Sequence, residues 1–150
     1  MHLISWNVAY HVKKQPKQLQ AVSDQTPDLI CLQEVTEKTA RLWKVGLQKA
    51  GYPNIITTFD TTETPDDLKG PRKFGLLIAS KRYFEGLNHE VLEIPWPEKL
   101  LSVLVHHPSQ EFPLHTAHIP PGSSNGWIYG EQYMEFKLDN WYRYLENSGI

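Results

Sequence analysis

The sequence is poor in cysteine: Cys31 is the single one in 150 residues. No intrachain disulfide can form, and the thiol content gives no sign of an oxidising compartment. Cys31 sits in the apolar run Leu29-Ile30-Cys31-Leu32 and reads as a small core hydrophobe. An excess of one charge is missing too. Fifteen Lys and Arg against seventeen Asp and Glu leave a formal net charge of −2. That gives no support to a broad basic surface binding nucleic acid by counterion release. A locally basic cleft, or a small phosphorylated or phospholipid-like substrate, stays open. Long apolar runs are absent, so no segment is expected to span a bilayer. The start, Met1-His2-Leu3-Ile4-Ser5-Trp6, lacks a basic stretch followed by an apolar one; no signal peptide is expected, and the expected location is cytoplasmic.

What is present is one domain's worth of chain with an ordinary apolar fraction and many large rings. Five Trp and seven Tyr argue for extensive burial. A first strand is expected over His2–Val8, then a short helix from Gln15 to Val22 with Pro16 near its start and Leu19 and Val22 facing inward. Leu29–Leu32 reads as a short, fully apolar strand. Thr36 is a plausible N-cap, with Glu37 complementing the helix dipole. The helix it opens should run to Ala50, with Trp43, Leu47 and Ala50 on one stripe and Gly51 as the stop.

Asp60–Lys73 is polar and carries Pro65, Gly70 and Pro71, the composition of a long loop. Strands follow at Phe74–Ala79, Val91–Ile94, Leu100–His106 and Phe112–Ile119, and their short links favour antiparallel pairing. A Pro/Gly/Ser loop over residues 120–126 leads to a helix from about Gly130 to Glu146, with Met134, Leu138, Trp141 and Leu145 on its core face.

The expected architecture is a mixed, mostly antiparallel sheet with helices on one face. Its other face should also be apolar, because Leu76, Ile78, Leu101, Val103 and Val105 alternate with residues that are apolar themselves. Such a sheet needs a second covering layer, and the chain has too few remaining elements to supply one.

Polar residues stand where apolar strands end: Asn7, Glu34 and His118. If those ends converge at one sheet edge, an amide, a carboxylate and an imidazole meet there, a set suited to a hard metal ion and an anionic substrate. Taken singly, each has a plainer reading: Asn7 as a turn former, Glu34 as a solvated or capping group, His118 as a loop residue.

The motifs around them carry more information. Ser5-Trp6-Asn7-Val8, Pro27-Asp28-Leu29-Ile30-Cys31-Leu32-Gln33-Glu34, Gly75-Leu76-Leu77-Ile78-Ala79-Ser80 and Thr116-Ala117-His118-Ile119-Pro120 follow one another in that order. Together they resemble the endonuclease/exonuclease/phosphatase superfamily, the deoxyribonuclease-I-like group. The resemblance implies an α+β fold, the N-terminal half of a four-layer α/β/β/α sandwich, over residues 1–150 as a single partial domain. It makes Glu34 the ligand of Mg²⁺ or Mn²⁺, ions that prefer oxygen donors. Asn7 would orient Glu34 or bind a phosphate oxygen. His118 would stabilise the pentacovalent transition state. Asn125 stands as either a substrate contact or a turn former, and Arg72, with Lys73, as either a phosphate-attracting cation or a solvated loop residue.

Two departures qualify the resemblance. Ala9 occupies a place where some family nucleases carry an acid, which weakens the case for a second metal there. The Gly-Asp-x-Asn and Ser-Asp-His-like motifs of complete members do not occur, and no histidine follows His118. The chain is therefore expected to be a truncated, split or shortened form. It would be a metal-dependent phosphoester hydrolase, inactive alone, acting on nucleic acid or a small phosphorylated molecule. A C-terminal half or a second copy would cover its open sheet face. The alternative is a non-catalytic dimeric or hetero-oligomeric subunit that keeps the fold for binding.

Overall fold

A computed structural model describes residues 1–61, 74–87, 99–118 and 139. The first strand, β1 (Leu3–Asn7), alternates: Ile4 and Trp6 turn inward while Leu3, Ser5 and Asn7 are exposed. Helix α1 (Gln15–Asp24) has Pro16 in its first turn, where its missing N–H costs no hydrogen bond. Its Val22 is buried and its Leu19 packs on the core. This helix carries the chain back so that β2 (Leu29–Thr36) runs parallel to β1, with Leu3 opposite Leu29 and Asn7 opposite Gln33.

Thr36 closes β2 and caps α2 (Glu37–Lys49). Thr39 N–H donates to Thr36 Oγ1 at 3.2 Å, and Thr36 N–H donates to Thr39 Oγ1 at 2.8 Å, a reciprocal capping box. Ala40, Trp43 and Leu47 are buried. Ala50, expected on the same stripe, is exposed, because it falls past the last turn as the C-cap. Gly51, at φ +91°, turns the chain out of the helix.

Two short elements that were not expected follow: β3 (Asn54–Thr57) and α3 (Thr58–Thr61), the second of which takes in the first two residues of the expected loop. Asp60 explains the helical turn, accepting from Thr57 N–H at 2.9 Å, Thr57 Oγ1 at 2.7 Å and Lys44 Nζ at 2.7 Å. The rest of the expected loop, to Lys73, lies outside the described residues. So do the expected strand Val91–Ile94, the loop at 120–126 and the helix from Gly130 to Glu146 (Asp139 apart).

Strand β4 (Phe74–Ser80) pairs antiparallel with both β2 and β3, giving a four-stranded sheet in the order β1-β2-β4-β3. Strands β5 (Phe84–Gly86), β6 (Leu100–His106) and β7 (Glu111–Ala117) form a separate three-stranded sheet in the order β5-β6-β7. This corrects the expectation of one sheet with too few elements to cover its second face. Periodicity shows that β4 and β6 are buried on both sides, but not that they belong to different sheets. Leu76 and Ile78 of β4 and Leu29 and Cys31 of β2 face Leu101, Val103 and Val105 of β6 in one buried cluster. At about 1.5–3 kcal/mol for each fully buried aliphatic side chain, this contact holds the sheets face to face. The break in hydrogen bonding falls after Ser80, whose Oγ accepts from Arg82 N–H at 2.9 Å and turns the chain away.

The described helices lie on one face, as expected of them. Val22, Ala40, Trp43, Leu47 and Tyr52 pack there on Ile30, Leu32, Leu77 and Ala79. Among the described residues, β7 stacks over β2 and β6 over β4, while Leu3, Ser5 and Asn7 of β1 are exposed. Leu3, on the inter-sheet side of β1, is 40% exposed. Among the described residues the open face is thus narrower than expected: the β1 column rather than a whole sheet. Pro113 lies in β7, which pairs with β6 alone among the described strands. Proline is tolerated in such an edge strand. No helix among the described residues is long and apolar enough to cross a membrane.

Candidate functional site

The site starts from an irregularity in β2. Gln33 pairs with Leu76, and Val35 with the very next residue on β4, Gly75, so Glu34 is an extra residue in a β-bulge. The bulge resets the side-chain phase. Ile30 and Leu32 face the helix-side core, and Leu29 and Cys31 face the other sheet. In an unbroken strand Glu34 would follow Ile30 and Leu32 into the apolar helix-side core. Instead Val35 takes that place, fully buried, and the carboxylate is released to the rim. Burying an unpaired carboxylate there would cost several kcal/mol at least, about the scale of the ion desolvation penalty. The backbone meets a smaller cost: Glu34 has φ 57°, the left-handed region that favours glycine.

Sequence reasoning placed Glu34 at the end of its strand. The structure instead carries β2 on to Thr36, with Glu34 two residues inside it. The rim arises from the bulge, not from the strand terminus.

Three side chains meet at this rim. Asn7 Nδ2 donates to Glu34 Oε1 at 2.9 Å. Asn7 Oδ1 accepts from Ala9 N–H at 3.0 Å, so both ends of the amide are engaged and its orientation is fixed. His118 Nε2 lies 3.3 Å from the same Glu34 Oε1, an ion-pair distance when the imidazole is protonated. The His118 side chain is 16% exposed and that of Glu34 20%. His118 comes from the second sheet: it follows β7, and its backbone N–H donates to Lys99 O at 2.9 Å. One carboxylate oxygen therefore joins β1, β2 and the end of β7.

Gln33, unassigned by the sequence reading, is the beam beneath them. Its Nε2 donates to Ser5 Oγ at 3.1 Å and to Thr116 Oγ1 at 3.0 Å, tying β1, β2 and β7 together one residue before Glu34. The signal was in the sequence: a glutamine in the inter-sheet phase of an otherwise apolar strand. The chain between Asn7 and Gln15 also bends sharply at the site. Ala9 has φ 51° and Tyr10 φ 50°, and Tyr10 N–H donates to Glu34 O at 3.1 Å.

Among the described residues no group of three or more His, Cys, Asp or Glu is placed to hold a metal ion. The donor set nevertheless fits a hard cation. Oε1 of Glu34 carries the contacts to Asn7 and His118, and Oε2 takes no hydrogen bond among the described residues. One carboxylate with water completing the shell is a set Mg²⁺ accepts. Arg72 and Asn125 lie outside the described residues. Other residues near the two sheets take structural roles. Cys31 is buried, and burial pushes its thiol up to about 12. Trp6 packs on the helix-side core. His115 Nδ1 is 2.6 Å from Ser102 Oγ, and burial lowers its pKa. His106 lies between Glu85 and Glu111 at the far end of β6.

No family model and no curated protein matches the sequence. Solved structures do resemble the fold. An AP endonuclease from Archaeoglobus fulgidus matches with TM-score 0.66 and 17% identity, over 98% of this chain and 51% of that one. An endonuclease/exonuclease/phosphatase from Beutenbergia cavernae matches with TM-score 0.59 and 20% identity, over 93% and 42%. Humanized D. rerio TDP2 matches with TM-score 0.55 and 19% identity, over 93% and 56%. The chain thus spans about half the length of these structures, between 42% and 56%. Two facing sheets, helices on one face and these matches together give the chain a partial endonuclease/exonuclease/phosphatase fold.

Proposed function

We propose that the chain carries the metal-and-phosphate part of a phosphoester hydrolase site, with Glu34 holding Mg²⁺ or Mn²⁺. The supporting observation is the convergence of Asn7 Nδ2 and His118 Nε2 on Glu34 Oε1, at 2.9 and 3.3 Å. When bound, the ion supplies Lewis-acid polarisation of a phosphoryl oxygen. Asn7, locked by Ala9 N–H, keeps the carboxylate in place. His118, protonated at Nε2, donates to a non-bridging phosphoryl oxygen as charge builds on it, the kind of donor whose removal costs about 10²–10³ in rate. Water forms the new O–P bond as the P–O bond to the leaving group breaks, and the proton the water loses ends on the leaving oxygen. Arg72 and Asn125 are substrate contacts in this reading.

The 150 residues contain no Gly-Asp-x-Asn. In this reading turnover requires a completing C-terminal half, or a second copy, over the exposed β1 column. The second reading is a binding subunit without turnover. A phosphodiesterase assay with Mn²⁺, on the chain alone and with a separately produced C-terminal half, separates the two. The hydrolase reading expects turnover in the reconstituted pair and its loss in Glu34→Gln and His118→Gln. Equal rates in wild type and both variants overturn it. A dimer by sedimentation with no turnover in either preparation supports the binding subunit.

A further inference from the structure

The rim continues past the three polar residues into a row of rings. Tyr10 and Phe74 stack with centroids 5.1 Å apart and planes at 22°. His11 continues the row, 5.3 Å from Tyr10 and tilted by 36°. Tyr10 and Phe74 are half-buried and His11 is exposed. Two members of this row are bonded to the polar site. Tyr10 N–H donates to Glu34 O at 3.1 Å. Phe74 O accepts from Lys99 Nζ at 2.5 Å, the ammonium lies 5.8 Å from the Phe74 ring, and Lys99 O accepts from His118 N–H at 2.9 Å. The circuit runs Glu34, Tyr10, Phe74, Lys99, His118 and back to Glu34.

Tyr10 belongs to neither of the two buried clusters. It is nevertheless held at φ 50°, beside Ala9 at φ 51°, in a region where an L-residue is strained. Strain of this kind persists where the surroundings impose it, typically at binding sites.

We propose that the His11–Tyr10–Phe74 row is a substrate subsite for a flat aromatic group, a nucleobase or similar ring, carried by the phosphoester. The proposal rests on the phosphate site described above. The ring of the ligand extends the row while its phosphate reaches Glu34 and His118; Lys99 acts as a positioning residue that ties Phe74 to the His118 backbone. Ring faces stack on bases of any identity, so the subsite selects for an aromatic group without selecting a sequence.

The test is calorimetric titration of the full chain in Mn²⁺ buffer with adenosine 5′-monophosphate, and separately with ribose 5-phosphate. Wild type should bind the nucleotide at least about fivefold more tightly, the lower end of what one base on one aromatic ring contributes. Tyr10→Leu should remove that preference, lowering nucleotide affinity by a larger factor than ribose 5-phosphate affinity. Phe74→Leu serves as the second variant, and melting curves confirm that each folds. Equal affinity of wild type for the two ligands overturns the subsite while leaving the phosphate site standing. A preference that survives in both variants also overturns it. Ribose 5-phosphate binding that is absent, or indifferent to Glu34→Gln, removes the phosphate site and the subsite with it.

Discussion

Replacing Glu34 with glycine and, separately, with alanine isolates the cost of the bulge. Both variants delete the carboxylate and its bond to Asn7, so that loss cancels between them. What remains is the backbone. At φ 57° an alanine keeps the left-handed penalty, about 1–2 kcal/mol. Glycine escapes it, but brings a more flexible unfolded chain, worth about 0.4–1 kcal/mol in the opposite direction. The net expectation is that Glu34→Gly is more stable than Glu34→Ala by about 1 kcal/mol, or about 2–4 °C in Tm for a chain of this size. Thermal melts and urea titrations in metal-free buffer read the difference. A Glu34→Ala protein as stable as Glu34→Gly, or more so, would show that residue 34 does not occupy the left-handed bulge. The carboxylate would then reach the rim by a route other than the bulge.

Three further outcomes follow from the same geometry. Gln33→Leu should lose about 1–2 kcal/mol in urea unfolding, because it leaves the buried Thr116 hydroxyl without this donor and cuts a tie between the sheets. Gly75→Ala should cost about 1–3 kcal/mol by overpacking, since a Cβ there would meet Phe59 Cζ at 2.7 Å and crowd Thr58 Oγ1, which accepts from Leu76 N–H at 3.0 Å. Stability should rise with pH through the window below 6.5: burial holds the His115 pKa under that value, the unfolded chain binds the proton first, and acid therefore favours unfolding. His115→Asn should flatten that part of a pH series of melting temperatures.

The sequence was most legible where local chemistry and periodicity agree. Pro16, the Thr36 cap and Gly51 bound the first two helices, and the run Leu100–His106 matches β6 residue for residue. Short elements without an apolar period escaped notice. Asn54–Thr57 and Phe84–Gly86 become strands through pairing with β4 and β6, distant partners that no window over a single segment can reveal. Thr57 and Asp60 had the threonine-to-acid spacing of a helix start, a cue overlooked inside a polar stretch.

The candidate site was legible as three residues and opaque as geometry. Asn7, Glu34 and His118 do share one rim. The mechanism that brings Glu34 there was hidden, because a bulge normally announces itself with glycine and here the left-handed residue is the glutamate itself. The division into two sheets was hidden for a related reason. Burial on both faces of β4 and β6 predicts a covering layer, and these strands turned out to cover each other.

Phosphoester chemistry at this rim requires an ion and a phosphate to meet at the Glu34 carboxylate. Broadening of the ³¹P resonance of inorganic phosphate by Mn²⁺, measured on the full chain, on Glu34→Gln and without protein, tests this most directly. Protein-dependent broadening that Glu34→Gln abolishes is the predicted result. Equal broadening with wild type and Glu34→Gln would mean that the ion and the phosphate meet elsewhere, or not on this protein at all.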